Sequence, residues 1–188
     1  MIGICNLCGS VVVQIHPGYF GTRCLNCRYT KIHRAVGLTI ESLNFSTSTS
    51  VYELSSRGAL YKFLKGKFKN LYFSEYFDDV PLGLMKNSVV CQDVQNLLLN
   101  DESFNLVTST EVFEHVPDDS KGFSEIYRVL KKGLFGLCYA MDGGYKGWNP
   151  YRERHLAIFV NCFYLERTNQ LSLLPDKDLV DLCPPIEP

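Results

Sequence analysis

Residues 101–118 read DESFNLVTSTEVFEHVPD, and this stretch decides the fold. Phe104 to Ser109 is a run of β-compatible residues and predicts a strand. Pro117-Asp118-Asp119-Ser120 then opens a helix, with its acidic residues at the positive end of the helix dipole. Phe123, Ile126, Tyr127 and Leu130 recur at i, i+3, i+4 and i+7, which gives that helix one apolar face. Lys131-Lys132-Gly133 reads as its end, with basic residues at the negative pole and a glycine cap. Leu134 to Met141 predicts the next strand.

Upstream the same alternation continues. Ser50 to Leu54, Leu71 to Ser74 and Ser88 to Gln92 read as strands. Residues 57–65 read as a helix with Leu60, Phe63 and Leu64 on one face and Gly66 as its stop. Alternating strands and helices predict an α/β domain with a mostly parallel sheet flanked by helices. Ligands of such sheets sit outside the carboxyl ends of the strands. Glu53, Glu75 and Asp93 fall at three successive strand ends, and Ser109-Thr110-Glu111 ends the fourth strand. One acidic residue at a strand end is ordinarily a solvated turn residue or a cap. Three in consecutive register point to a ligand site. Glu75 lies 22 residues after Glu53, close to the spacing of about 20 at which nucleotide-binding folds hold ribose hydroxyls.

The N-terminus carries a second signal. Cys5-x-x-Cys8 and Cys24-x-x-Cys27 have the ligand spacing of a four-cysteine zinc ribbon. Zn²⁺ bound by four thiolates keeps no open position, so the metal expected here is structural. An iron–sulfur cluster and disulfides are the alternatives; no signal peptide precedes the cysteines. Val11 to Ile15 and Tyr19 to Arg23 are the expected ribbon strands, joined by His16-Pro17-Gly18. So short a segment buries too little to fold alone, and metal binding would supply its folding energy. The expected division is a zinc ribbon over 1–40 and a larger domain over 41–188, with a Ser/Thr-rich seam at Ser46 to Ser50.

Composition narrows the function classes. A hydrophobic share of 46% fits a protein with a real core. The net charge of −1 argues against a strongly nucleic-acid-binding surface. Arg23, Arg28, Lys31, His33 and Arg34 cluster around the second cysteine pair and keep nucleic acid as an unfavoured partner. No apolar run is long enough to cross a bilayer. Cys91, Cys138, Cys162 and Cys183 form no close pair and read as buried thiols in a reducing compartment. The cytoplasm is the expected location.

The segments VYELSSRGAL, LYFSEYFDDV, VVCQDVQNL, DESFNLVTSTEVFEHVPD and GFSEIYRVLKKG together resemble a class I S-adenosylmethionine-dependent methyltransferase of type 11, over about residues 50–133. The resemblance implies a Rossmann-like sheet and S-adenosylmethionine as cofactor. It places Glu53 near the methionyl amino group and Glu75 on the ribose hydroxyls. It sets Asp93 against the adenine amine and the backbone of Val94 against the ring. Ser109 and Thr110 would line the cofactor beneath its methyl group, and His115 would stand at the edge of the active site as the candidate general base. The implied reaction moves a methyl group to an unidentified O, N or C acceptor, small-molecule or macromolecular.

The chain departs from the family in two places. Aligned on Glu53, the family's loop glycines fall on Ser55, Arg57 and Ala59, with Gly58 shifted by one. Side chains there restrict close backbone approach to a ligand, and Arg57 is the expected partner of the methionyl carboxylate. The tail over 142–188 reads as atypical or truncated. Leu156 to Leu165 suits one strand or a short helix, and Pro184-Pro185 ends order. These departures support an alternative function, a catalytically inactive methyltransferase fold that binds or scaffolds. An NAD-dependent enzyme is disfavoured, because Gly-x-Gly-x-x-Gly is missing.

Overall fold

The computed structural model describes residues 3–16, 21–110 and 112–139. They fall into two units, one formed by 3–48 with 57–69 and the other by 49–56 with 70–139.

The first unit contains a small antiparallel sheet of β1 (Gly3–Ile4), β2 (Val11–Gln14) and β3 (Thr22–Cys24), in that order. Val12 at its centre pairs with Gly3 on one side and Cys24 on the other. Strand β1 was not expected from the sequence; two residues carry no periodicity. Helix α1 (Lys31–Ser42) was not expected either. Thr30 caps it, its hydroxyl accepting from the His33 amide at 3.4 Å. Gly37 in its middle weakens the helical pattern, and the structure shows why a glycine stands there. A Cβ at Gly37 would sit 2.1 Å from Leu7 Cδ2, so the helix rests directly on the first cysteine turn. Helix α2 (Gly58–Lys67) buries Leu60 and Leu64. It runs through Gly66, the expected stop, to an extended Phe68 that is itself buried. Burial of an aromatic side chain, not a glycine cap, ends this helix. Cys5, Val12, Cys24 and Tyr29 form the core, with Leu7, Cys27, Ala59 and Phe63 packed around them.

The second unit is built on a six-stranded sheet. Its strands are β4 (Ser50–Glu53), β5 (Asn70–Glu75), β6 (Met85–Lys86), β7 (Val89–Cys91), β8 (Phe104–Thr110) and β9 (Leu130–Tyr139), arranged β6-β7-β5-β4-β8-β9. All neighbours are parallel except the two-residue edge strand β6. The chain therefore lays strands outward from β4 in one direction, then crosses to β8 and continues in the other. The reversal between β4 and β8 is a topological switch point. Tyr52 anchors the interior: its ring lies 5.2 Å from Phe104 and 5.4 Å from Tyr72, and its hydroxyl meets Ser74 Oγ at 2.7 Å.

Helix α3 (Asp119–Val129) begins where the sequence predicts, with the Asp118 carboxylate accepting from the Lys121 amide. Its end differs. The backbone turns extended at Leu130, which pairs with Phe104, so Lys131-Lys132-Gly133 belong to β9 and not to a helix cap. Val129 and Leu130 are both buried in the core, and packing draws the chain into the sheet one turn early. Glu111 and the tail over 142–188 lie outside the described residues.

Candidate functional site

The carboxyl ends of β4, β5 and β7 bring Glu53, Glu75 and Asp93 to one edge of the sheet. Each is held differently. Glu53 is fully buried, and Oε2 accepts from Thr108 Oγ1 of the neighbouring β8. Its Oε1 has no partner among the described residues. Burial is the main reason its carboxyl is pushed up to about 8; the Thr108 bond opposes the rise and the charge of Glu75 adds to it. Glu53 is thus a carboxyl group kept protonated near neutrality with one oxygen unused.

Glu75 is half-buried at the end of β5. Its Oε1 accepts from Ser55 Oγ at 3.0 Å, the Ser56 amide at 3.0 Å and Ser56 Oγ at 3.2 Å. The loop after β4, where the family carries glycines, is therefore tied to the carboxylate at the end of β5. Asp93 closes a tight turn: Oδ1 accepts from the Gln95 amide at 2.8 Å, and the Gln95 side chain reaches both carboxylate oxygens. Gln95 also accepts from the Asp118 amide at 3.0 Å, which links this turn to the start of α3. Val94 is buried in the core.

Ser109 and Thr110 end β8 across the switch point from Glu53. Ser109 is fully buried, and its Oγ also lacks a partner among the described residues. His115 ends a one-turn 3₁₀ segment over Phe113–His115; it is exposed, and its amide donates to Val112 O at 2.9 Å. Arg57 and Gly58 fall in the first unit, at the start of α2, and both are exposed. The structure thus brings Glu53, Ser55, Glu75, Asp93, Val94, Ser109 and Thr110 together in one unit, with His115 beyond them. Thr108, Ser56 and Gln95, which hold the three acids, were not singled out from sequence. Their type gave a signal, since hydroxyl and amide side chains beside an acid are its natural donors.

In the first unit the Sγ atoms of Cys5, Cys8, Cys24 and Cys27 all lie within 4.8 Å of one another. Cys5 and Cys27 are 3.7 Å apart, and Cys8 and Cys24 are 3.4 Å apart. Thiolates on a tetrahedral Zn²⁺ at about 2.3 Å stand about 3.8 Å apart, so the four sulfurs fit such an ion. The two cysteine turns repeat one hydrogen-bond pattern. Gly9 donates to Cys5 O and Arg28 to Cys24 O, while the Cys5 amide donates to Ser10 O and the Cys24 amide to Tyr29 O. The fifth residue of each turn has a left-handed backbone, Gly9 at φ 70° and Arg28 at φ 63°. Burial raises the Cys5 and Cys27 thiols. It acts on Cys24 too, as the largest single influence, but amide donors from Cys27 and Asn26 together with the Cys27 and Cys8 thiols outweigh it and bring that thiol down to about 6.

A mostly parallel sheet with carboxylates at its switch point defines an α/β protein whose strand ends form the crevice where such sheets hold ligands. A family model described as a methyltransferase domain matches residues 37–138, more than half of the chain, and the chain belongs to that family. Solved structures similar to it include a candidate S-adenosyl-L-methionine-dependent methyltransferase from Methanococcus maripaludis (20% identity, TM-score 0.45, 60% of this chain and 57% of that one). A candidate methyltransferase from Bacillus halodurans matches at 21% identity and TM-score 0.47, over 56% of this chain and 50% of that one. A complex of the Trm112 methyltransferase activator from Haloferax volcanii with a candidate methyltransferase matches at 18% identity and TM-score 0.44, over 57% and 51%. The matched region thus spans between half and three-fifths of these proteins. No curated protein matches. Among the described residues no helix is long and apolar enough to cross a membrane.

Proposed function

We propose that the chain binds S-adenosylmethionine along the carboxyl edge of β7, β5, β4 and β8 and transfers its methyl group to an O, N or C acceptor. The observation that carries this reading is the row of Glu75, Glu53 and Ser109 across the switch point, with two fully buried polar atoms, Glu53 Oε1 and Ser109 Oγ, that have no partner among the described residues. Buried polar groups are ordinarily satisfied, and orphans at a strand-end crevice suit a polar ligand. When bound, the cofactor supplies an activated methyl group on sulfur. The chain's own residues bind and orient. Glu53 gives up its proton when a cation stands at Oε1. Glu75, steadied by Ser55 and Ser56, accepts from vicinal hydroxyls. Asp93 and the Val94 backbone take the edge of a base, and Ser109 and Thr110 floor the crevice. His115 serves as general base where the acceptor arrives protonated.

Zn²⁺ is the metal we assign to Cys5, Cys8, Cys24 and Cys27, as a structural ion with no open position. Isothermal titration with S-adenosylmethionine and S-adenosylhomocysteine, beside Glu75→Ala, tests the cofactor site. Micromolar binding that falls at least tenfold in the variant supports it. Absence of binding by folded protein refutes it. The same titration on Arg57→Ala tells whether the loop beyond Ser56 reaches the cofactor. A second reading, cofactor binding without methyl transfer, is favoured by the seryl loop that already holds Glu75 Oε1. Binding with no turnover across acceptor classes would select it.

A further inference from the structure

Charge is divided unevenly between the two units. Among its described residues the first unit carries nine lysines and arginines against one carboxylate, Glu41. The second carries five against eleven. A net charge of −1 over the whole chain hides this division. Sequence order hides it as well: five of the nine cations (Arg57, Lys62, Lys65, Lys67 and Lys69) follow the first strand of the other unit, yet fold with the ribbon. A Zn²⁺ held by four thiolates would add two negative charges and leave the excess strongly positive.

The excess is displayed on the surface. In α2 the apolar side chains Leu60 and Leu64 are buried, whereas Lys62 and Lys65 are exposed, as is Lys69 just beyond it. Lys62 and Lys65 are one helical turn apart, about 4.5 Å along the axis. Their ammonium groups repel, and no acid at i+4 in this helix offsets them. Lys65 Nζ stands 5.5 Å from the centre of the half-buried Tyr61 ring. On the ribbon Arg28 is exposed and Arg23 half-exposed. Arg34 of α1 is buried, and its Nε has no partner among the described residues. The ion pairs Lys86–Asp79, Lys121–Asp118, Arg128–Glu125 and Lys132–Glu102 belong to the second unit.

We infer that the first unit is a nucleic-acid docking surface, in which the exposed lysines of α2 and the ribbon arginines Arg23 and Arg28 meet the phosphates of a strand. A dense cationic surface with few acids is what a polyphosphate backbone requires. An aromatic ring beside a lysine adds a stacking platform for a base. A lipid surface fits less well, because α2 turns Leu60 and Leu64 inward and sets lysines outward. The inference concerns binding alone and stands whether or not the other unit transfers methyl groups.

The test uses the full chain, zinc-loaded, and fluorescence anisotropy with labelled RNA and DNA strands of about 20 nucleotides over a range of KCl. Wild type binds at low salt, with log affinity falling linearly in log salt concentration. Lys62→Glu/Lys65→Glu/Lys69→Glu lowers affinity by about tenfold or more, and the corresponding glutamine variant lowers the salt slope by about 2, three phosphate contacts at about 0.7 each. Lys121→Glu/Lys132→Glu in the second unit changes neither by as much as twofold. RNA against DNA separates the two sources of phosphate. Circular dichroism and zinc content confirm that the variants fold. Absence of binding at low salt, equal binding by the variants, or tighter binding to polyglutamate or phosphatidylserine vesicles would overturn the inference.

Discussion

Glu53→Gln is the perturbation whose outcome the structure defines most closely. Glu53 is fully buried, spends Oε2 on Thr108 and, among the described residues, leaves Oε1 without a partner. Its carboxyl is pushed from an ordinary 4.5 to about 8, chiefly by burial. Between those two pH values the folded protein keeps a proton that the unfolded chain has released. Stability therefore falls as pH rises through that window, by about 1.4 kcal/mol per pH unit, and levels off above it. The loss amounts to about 3 kcal/mol by pH 7. Glutamine keeps the shape and the acceptor for Thr108 without the charge. The variant should match wild type near pH 4.5 and exceed it by about 2–3 kcal/mol at pH 7. Guanidinium unfolding of zinc-loaded protein, followed by far-ultraviolet circular dichroism at pH 5, 7 and 8.5, measures the difference, and ionisations elsewhere cancel in the comparison. Parallel curves over that range would refute the reasoning. The same substitution should weaken S-adenosylhomocysteine binding at least tenfold, since a neutral amide makes no charge-assisted bond to an ammonium group. Greater stability with poorer binding marks a carboxylate kept for a ligand and not for packing.

Arg128→Ala should cost about 2–4 kcal/mol, because Arg128 donates to Leu97 O, Leu99 O, Asp101 and both Glu125 oxygens at 2.6–2.9 Å and so ties the 97–101 loop to α3. The exposed Asp101 arm contributes least, and Arg128→Lys should fail to restore stability, because lysine lacks the fork; guanidinium unfolding reads both. Chelation should remove one zinc per chain, counted by plasma mass spectrometry, and raise amide exchange across β1, β2 and β3, with Cys24→Ser giving the same result. Arg28→Gly should tighten zinc binding about two- to fivefold in competition with a chromophoric chelator, since glycine relieves about 0.5–1 kcal/mol of left-handed strain at φ 63°.

Elements with a strong period were legible in the sequence, and those set by contact were not. Phe104–Thr110 and Asp119–Val129 stood out through β-compatible residues and a 3.6-residue apolar pattern. Helix α1 escaped because Gly37 breaks its pattern, and only the nearness of Leu7 explains that glycine. The end of α3 was misplaced because Lys-Lys-Gly mimics a cap, while the burial of Val129 and Leu130 decides the turn into β9. The four cysteines announced their cluster by spacing alone. Glu53, Glu75 and Asp93 announced themselves by recurrence at strand ends, but Thr108, Ser56 and Gln95 did not. A donor is recognised by what it reaches, and Thr108 reaches Glu53 across 55 residues of chain.

The loop after β4 shows how the same edge can be built without the family's glycines. Glycines there let the backbone approach a ligand closely. Here Ser55 and Ser56 turn both hydroxyls and one amide onto Glu75 Oε1. Three donors on one carboxylate oxygen fix its orientation before any ligand arrives, which lowers the cost of ordering it at binding. The same donors also compete with ligand hydroxyls for that oxygen. Affinity thus depends on which effect is larger. The contrast with Glu53 completes the logic of the site. Glu75 is bonded and held in place by three donors; Glu53 is buried, protonated near neutrality and, among the described residues, short of a partner at Oε1. A ligand bearing both a cation and vicinal hydroxyls satisfies the two at once, whereas one bearing only one of these leaves either the orphan oxygen or the strand-end carboxylate unused.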